Sequence, residues 1–552
     1  MYSDKTIVNL ITSLLVAKGV RRAVVCPGSR NIPLVNDFME CPDIACTAVT
    51  DERSAAFYAL GMSLATRKPV VVCVTSGSAL LNTAPAVAEA YYRHVPLIVV
   101  SADRQKEWID RNDGQTIRQD GALANVVREQ TSVSEITADD SLGIDLSTLL
   151  LNMTLNAAVS GAKGPVHVNV HLKEPLSGFN ADTLPEARNI LTTASDLTQA
   201  GVGTLAEQAI RRFISSEMGM IVIGQMREAD SELDAIVREL QKYYVVVAEP
   251  LATAAARPFD NALSECTDDL KRLPVNFLLS MGGTLVSKNL RNLLRSLTVG
   301  DHWEVNEDGR PHDMFGCQTG VVWCGAKAFL RALLDLTLEN GRKLTPADNA
   351  LRDKWYGMME RAEETVGESG QDYPLKTEEF SEKEAVRLFE LSLEDMEYDF
   401  HVHYANSMEV RLGCMYAEHF IWCNRGVNGI EGSVSTAAGF SLATDDMVFC
   451  VTGDLSFFYD QNSLWNSSLK GNLRVLLLNN GGGAIFSKLK GLDVEADEFN
   501  AISGRHNANA RGICEQNDIG YLQARSLREY RIALVRLLTE QTKRPMVLET
   551  IF

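Results

Sequence analysis

The sequence predicts an α/β protein built from three doubly wound domains with parallel sheets, and three observations carry that reading. At 552 residues the chain is too long for a single hydrophobic core. Short apolar runs ending in turn residues alternate with helix-length segments, which is the spacing of βαβ units. The chain also echoes itself. Gly61-Met62-Ser63-Leu64-Ala65-Thr66 precedes Val72-Cys73-Val74-Thr75, and Gly439-Phe440-Ser441-Leu442-Ala443-Thr444 precedes Phe449-Cys450-Val451-Thr452. The two copies keep their spacing to within one residue, and each has an acidic residue upstream, Glu52 and Glu431. A duplicated domain accounts for this better than chance likeness.

In the expected first domain, 1–182, residues 4–18 read as a helix and 23–26 as a strand ending in Pro27-Gly28-Ser29-Arg30. A strand at 44–49 ends at Asp51-Glu52-Arg53 and leads into a helix of small residues. Further strands at 70–74 and 97–100 end in Thr75-Ser76-Gly77-Ser78-Ala79 and Ser101-Ala102-Asp103-Arg104, and 165–170 supplies one more. A central α/β domain over 183–345 has strands at 219–223, 243–248 and 275–281. A polar, charge-rich stretch at 346–382 reads as a partly helical surface linker, and a third domain fills 383–552.

The third domain holds the stretch with the most chemistry. Residues 447–452 read as a buried strand entering a tight turn at Gly453-Asp454, 459–469 as a helix stopped by Gly471, and 473–478 as the next strand. Asp454 and Asn479-Asn480 then stand at the carboxyl ends of strands, the edge where open α/β sheets bind ligands. Asp and Asn oxygens gathered there suit a hard cation such as Mg2+, which keeps substrate phosphate oxygens as further ligands. Glycines 481–483 let the backbone come close to such a ligand.

Composition narrows the function classes. The chain is 45% hydrophobic and 23% charged, as expected of a folded soluble protein. A net charge of -19 disfavours nucleic acid and anionic membranes as partners, so binding a small anion demands Arg and Lys concentrated locally. The 11 cysteines include no CxxC pair, and Cys26, Cys73 and Cys450 fall in strand-like runs, as in a reducing compartment. The N-terminus has charges where a signal peptide has its apolar core, and no apolar stretch approaches a membrane span of about 20 residues. A cytoplasmic protein is expected.

Gly453-Asp454 followed by Asn479-Asn480 one crossover later resembles the metal-binding signature of thiamine-diphosphate enzymes, although Leu455 stands where the general signature has a small residue. Two like domains flanking a third is the plan of the pyruvate-oxidase-like members. Within them the whole chain is similar to the 2-succinyl-5-enolpyruvyl-6-hydroxy-3-cyclohexene-1-carboxylate synthases of menaquinone biosynthesis. The likeness rests on PGSR (27–30), DERSAAFYALG (51–61), TSGSA (75–79), SADR (101–104), GQTIRQ (114–119), NSMEVR (406–411), NRGVNGIEG (424–432), GDLS (453–456) and NNGGGAIF (479–486). It covers the outer domains well and the central one poorly.

The resemblance implies a transferase that decarboxylates 2-oxoglutarate and adds the succinyl-semialdehyde carbanion to isochorismate by 1,4-addition. Its cofactors would be thiamine diphosphate and Mg2+ or Mn2+. Glu52 would be the catalytic carboxylate that shares a proton with the cofactor's aminopyrimidine ring. Asp454, Asn480 and the Gly482 carbonyl would bind the metal. Ser407, Arg425, Ile430, Gly453, Leu455, Ser456, Ile485 and Phe486 would contact the cofactor. Ser29, Arg30, Arg104, Gln115, Lys288, Arg411 and Arg425 would bind the substrates, whose paired carboxylates meet the demand for local positive charge. Asn289 and Gln105 depart from the family pattern, which favours a second basic residue and a proline there. Sites shared between chains imply a homodimer or homotetramer. The rival readings are another thiamine-diphosphate 2-oxo-acid decarboxylase or carboligase, and a non-catalytic cofactor-binding protein on the same fold.

Overall fold

The computed structural model describes residues 1–192, 204–256, 274–371, 380–483, 485–486 and 495–552. The first sheet comprises Arg22–Val25, Ala45–Ala48, Val70–Val74, Leu97–Asp103, Glu129–Ser134 and Val166–His171. The last comprises Phe400–Tyr404, Ile421–Trp422, Met447–Gly453, Leu473–Asn479, Gly520–Ala524 and Met546–Ile551. With each sheet's strands counted in chain order, both run 2-1-3-4-6-5, and every pairing in them is parallel. The central sheet, Gly219–Ile223, Val245–Ala248, Val275–Met281, Val299–Asn306 and Gly320–Trp323, runs 2-1-3-4-5. Parallel strands are covered on both faces, so their sequences are apolar throughout rather than alternating. Val70–Val74 and Leu473–Asn479 are buried at every position.

The self-echo has a physical meaning at the seam between the outer domains. Helices Glu52–Thr66 and Ser433–Ser441 are buried almost throughout and pack on each other. A Cβ on Gly61 would lie 2.0 Å from the Thr436 carbonyl oxygen, and one on Gly439 would lie 2.1 Å from that of Tyr58. Each glycine thus admits the backbone of the other helix. Around the crossing, the inner faces of both sheets merge into one apolar cluster that includes Phe57, Tyr58, Val72, Val434, Phe440 and Leu477. Tyr58 donates to the Ser463 carbonyl across the seam at 2.5 Å.

Three local expectations change. The helix expected over 459–469 begins instead at Asp454, runs to Tyr459 and passes into a 3-10 turn at Gln461–Ser463. Beyond it the chain leaves the helical path, and Arg544 Nη1 donates to the carbonyls of Asn466, Ser467 and Leu469. The stretch expected as a linker from 346 opens with a helix, Pro346–Gln371, that buries Leu351, Trp355, Met358 and Met359 against the central sheet. The central unit therefore extends past 345, while the linker's 372–379 lie outside the described residues. Finally, Ser141–Val159 is long and apolar enough to cross a membrane by length and composition. Here it buries Leu151, Leu155 and Ala158 on the first sheet.

Candidate active site

Most of the expected site residues stand just beyond the carboxyl ends of the first four strands of an outer sheet, and the two domains use equivalent positions. After strand one come Ser29 and Arg30 in the first domain, Ser407 and Arg411 in the third. After strand two come Glu52, and Arg425 with Ile430. After strand three the first domain has its Ser76-Gly77 turn and the third Gly453, Asp454, Leu455 and Ser456. After strand four come Arg104 and Gln115, and Asn480, Gly482, Ile485 and Phe486. Lys288 is apart, exposed at the start of the central-domain helix Lys288–Ser296.

Asp454 is 3% exposed and organises its surroundings. Its Oδ1 accepts from the Leu455 amide at 2.6 Å. Its Oδ2 accepts from the amides of Asn480, Gly481 and Gly482 at 3.1, 2.7 and 2.9 Å. The loop curls round the carboxylate because Gly482 holds φ at +147°, where a Cβ would also lie 3.0 Å from the Ser503 carbonyl oxygen. Asn480 Nδ2 donates to Glu382, leaving Asn480 Oδ1 buried with no hydrogen-bond partner. A buried orphan acceptor beside a carboxylate fits a hard cation. Among the described residues no three or more His, Cys, Asp or Glu side chains form a metal cage. The oxygen set Asp454, Asn480 and Gly482 therefore suits an ion that keeps ligand phosphates in its shell.

Around this cradle, Ser456 Oγ donates to the Ile430 carbonyl at 2.6 Å, which ties Ile430 to the Asp454 helix. Ile430 stays 40% exposed, and Ile485 and Phe486 are half-buried. Ser407 holds φ at +88°, a conformation that normally calls for glycine; such strain gathers at ligand sites. Beneath the cradle, Glu409 fills the space a side chain at 453 would take, 2.3 Å from a Cβ there. Burial, with Glu382 and Asp454 nearby, pushes its carboxyl up to about 8.

In the first domain, Asp51 caps its helix by accepting from the Arg53 and Ser54 amides, which sets Glu52 at the first helical position. Glu52 Oε2 accepts from Asn82 Nδ2 at 3.0 Å. Its neighbours bind at the far end of the helix that Asp454 begins: Arg53 donates to the carbonyl of Tyr459, the last residue of that helix, and Asp51 accepts from Asn462 just past it. Arg30 and Arg104 meet at a pocket of about 380 Å3 with Trp108 and Lys173. Glu174 Oε1 lies between them, 2.9 Å from Arg30 Nη2 and 3.7 Å from Arg104 Nη1. Gln115 Nε2 donates to the Ser76 carbonyl at 3.1 Å, and Ser29 is exposed.

Arg425 donates through Nη1 to Asn406 Oδ1 at 3.1 Å, and its Nε is buried without a partner. Arg291, one helical turn after Lys288, also has a buried Nε without a partner. Burial, together with the charges of Arg425, Arg295 and Arg411, depresses its pKa. Sequence reading passes over Arg291, and the basic residue absent at 289 was the available signal. It gives no role to Gln119, the last residue of the GQTIRQ motif, which is buried beneath the turn after strand three. Gln119 accepts from the Gly77 amide at 2.8 Å and donates to Asn169 Oδ1 at 2.7 Å. A cavity of about 990 Å3 opens at the carboxyl edge of the central sheet and reaches these residues at Arg425.

Three parallel-sheet domains, with an acidic helix start in the first and an oxygen-lined cradle in the last, define a thiamine-diphosphate-dependent enzyme. The profile of the thiamine pyrophosphate enzyme N-terminal TPP binding domain family matches residues 5–123. Three curated relatives carry the name 2-succinyl-5-enolpyruvyl-6-hydroxy-3-cyclohexene-1-carboxylate synthase. That of Phocaeicola vulgatus is 36% identical across 100% of this chain and 96% of its own. That of Bacteroides thetaiotaomicron is 35% identical across 97% and 93%, and that of Bacteroides fragilis 36% identical across 94% and 91%. The chain belongs to the 2-succinyl-5-enolpyruvyl-6-hydroxy-3-cyclohexene-1-carboxylate synthase family.

Proposed function

We propose that the enzyme decarboxylates 2-oxoglutarate and adds the resulting succinyl-semialdehyde carbanion to isochorismate, giving 2-succinyl-5-enolpyruvyl-6-hydroxy-3-cyclohexene-1-carboxylate in menaquinone biosynthesis. The observation that carries this is the pairing of Arg30 with Arg104 at one pocket, where a glutamate carboxylate already sits between them. Both substrates are dicarboxylates, and a guanidinium fork suits a carboxylate.

Thiamine diphosphate, when bound, supplies the electron sink that a 2-oxo acid needs to lose CO2. Asp454, Asn480 and the Gly482 carbonyl would hold Mg2+, or Mn2+ in its place, as oxygen ligands. Glu52 would share a proton with the cofactor's aminopyrimidine ring through its carboxylate. Ile430, Ile485 and Phe486 would pack against the cofactor and exclude water, while Ser407, Gly453, Leu455 and Ser456 would complete the wall. Arg30 and Arg104, with Ser29 and Gln115, take carboxylates of one substrate. Arg411, Arg425 and Lys288 take those of the other.

The support for a homodimer or homotetramer is that Asp51 and Arg53, the neighbours of Glu52, turn to the far end of the Asp454 helix in their own chain. The Asp454 cradle that completes the Glu52 site then belongs to a second copy. A cytoplasmic location accords with ten described cysteines that are all free.

The deciding experiment measures CO2 release from 2-oxoglutarate with thiamine diphosphate and Mg2+, with and without isochorismate. Rapid release only with isochorismate, and the cyclohexene adduct in the mass spectrum, is the expected result. Equal release without it would make the protein a simple decarboxylase. No release with cofactor bound would leave a non-catalytic binder or another substrate pair.

A further inference from the structure

The loop Asn424–Ile430, which carries Arg425 and Ile430, is held from all three domains. From the third, Asn406 Nδ2 donates to the carbonyls of Asn424 and Gly429 at 2.6 and 2.7 Å. From the central domain, Gln225 Nε2 donates to the Cys423 carbonyl at 2.8 Å and Thr284 Oγ1 to that of Arg425 at 3.0 Å. The first domain reaches in with Glu89, on the helix Ala84–Arg93. Its Oε1 accepts from the Gly426 amide at 2.9 Å and its Oε2 from the Val427 amide at 2.8 Å.

Glu89 is 2% exposed, and a buried carboxylate is costly unless its oxygens are bonded. A plain structural ion pair with Arg93 is the simpler account, but the geometry disfavours it. Arg93 Nε stands 3.9 Å from Oε1, too far for a hydrogen bond, whereas both carboxylate oxygens are spent on consecutive amides next to Arg425. The loop is also pressed onto the helix, since a Cβ on Gly426 would lie 2.8 Å from the Glu89 carbonyl oxygen. Two amides gripped by one carboxylate fix the peptide planes after Arg425, and with them the direction in which its side chain leaves the loop. The buried, unpartnered Nε of Arg425 is thereby held ready for an anion.

We propose that Glu89 is a positioning residue: it aims Arg425 and Ile430 from across the domain boundary through the backbone and touches no substrate. This rests on the reading of Arg425 as a substrate-binding residue. Asn82, which holds Glu52, ends the short helix Ser78–Asn82 that precedes the Glu89 helix, so one short piece of the first domain steadies residues of both half-sites.

The test is a double-mutant cycle on the holoenzyme. Glu89→Gln keeps the shape, retains one acceptor and opposes the second amide with an NH2 group. We expect it to raise KM for one substrate about tenfold with a smaller fall in kcat, and to leave the Kd of thiamine diphosphate within about twofold. In an Arg425→Ala background the same change should cost less than about twofold, because the residue it aims is gone. Effects that multiply in full, an unchanged KM, or a loss of activity that tracks loss of Tm and cofactor affinity would each overturn the proposal. If Arg425→Ala alone leaves both KM values unchanged, the reading of Arg425 falls and this proposal with it. If Arg425→Ala acts but Glu89→Gln multiplies independently, only this proposal falls. Should Glu89→Ala fail to fold, the isosteric Gln variant still decides.

Discussion

The first and third domains have the same strand order and meet through paired glycines, yet their strand ends hold different chemistry. Beyond strand two both present an acid, Glu52 and Glu431, but only the third adds a buried arginine, Arg425. Beyond strand three, the first has an uncharged turn whose Gly77 amide is held by Gln119, while the third has Asp454 gripping three amides. Duplication preserved what packs and freed what projects. Core positions are constrained by density on every side, whereas residues past a strand end answer only to the ligand.

The sharpest way to break this division is to exchange the chemistry. Glu52→Gln should lower kcat by about a hundredfold to ten-thousandfold, the usual range for losing a proton-transfer group. Metal-dependent cofactor binding, followed by fluorescence titration, should persist. Loss of that binding instead would give Glu52 a structural role. Asp454→Ala should weaken Mg2+ and thiamine diphosphate together, by about ten- to a hundredfold each, because the cradle amides lose their acceptor as the metal loses a ligand. Unchanged cofactor affinity would remove Asp454 from the metal site.

A smaller effect tests the shared seam. Gly61→Ala and Gly439→Ala should each destabilise by about 1–3 kcal/mol, since a methyl must displace backbone. Gly114→Ala, with nothing within 4 Å of a Cβ, should be near neutral in the same calorimetric series. The smallest effect concerns Asp460, which accepts from the amide and hydroxyl of Ser435 at 2.7 Å. Burial raises its pKa from 3.8 to about 6, so the folded state holds the proton more tightly than the unfolded one. Its contribution to stability is full below pH 4 and lost as pH rises through 6. Asp460→Asn should flatten that decline in denaturant midpoints, and an unaltered slope would clear Asp460 of it.

Much of this was legible in the sequence because central parallel strands are apolar almost end to end and give way to glycine-bearing turns, with Gly77 shortly after Val70–Val74 and Gly453 closing Met447–Gly453. The edge strand Glu129–Ser134 escapes such a reading, since its polar side chains bury little. The helix expected over 459–469 starts instead at Asp454 and ends at Tyr459, and the expected linker fails on Trp355, whose burial only the folded sheet reveals. The residues named for chemistry were visible as motifs. Glu89 and Arg291 were not, and Gln119 stood in the GQTIRQ motif without a role, because a buried polar side chain gains its meaning from partners that the fold supplies.

The glycine crossing also sets a schedule. As the chain leaves the ribosome, the helix Glu52–Thr66 emerges long before Ser433–Ser441 exists to cover it. Until then the surface around Phe57 and Tyr58 has no partner. Nascent chains in that interval expose a large apolar face, the condition under which holding chaperones bind and aggregation competes with folding.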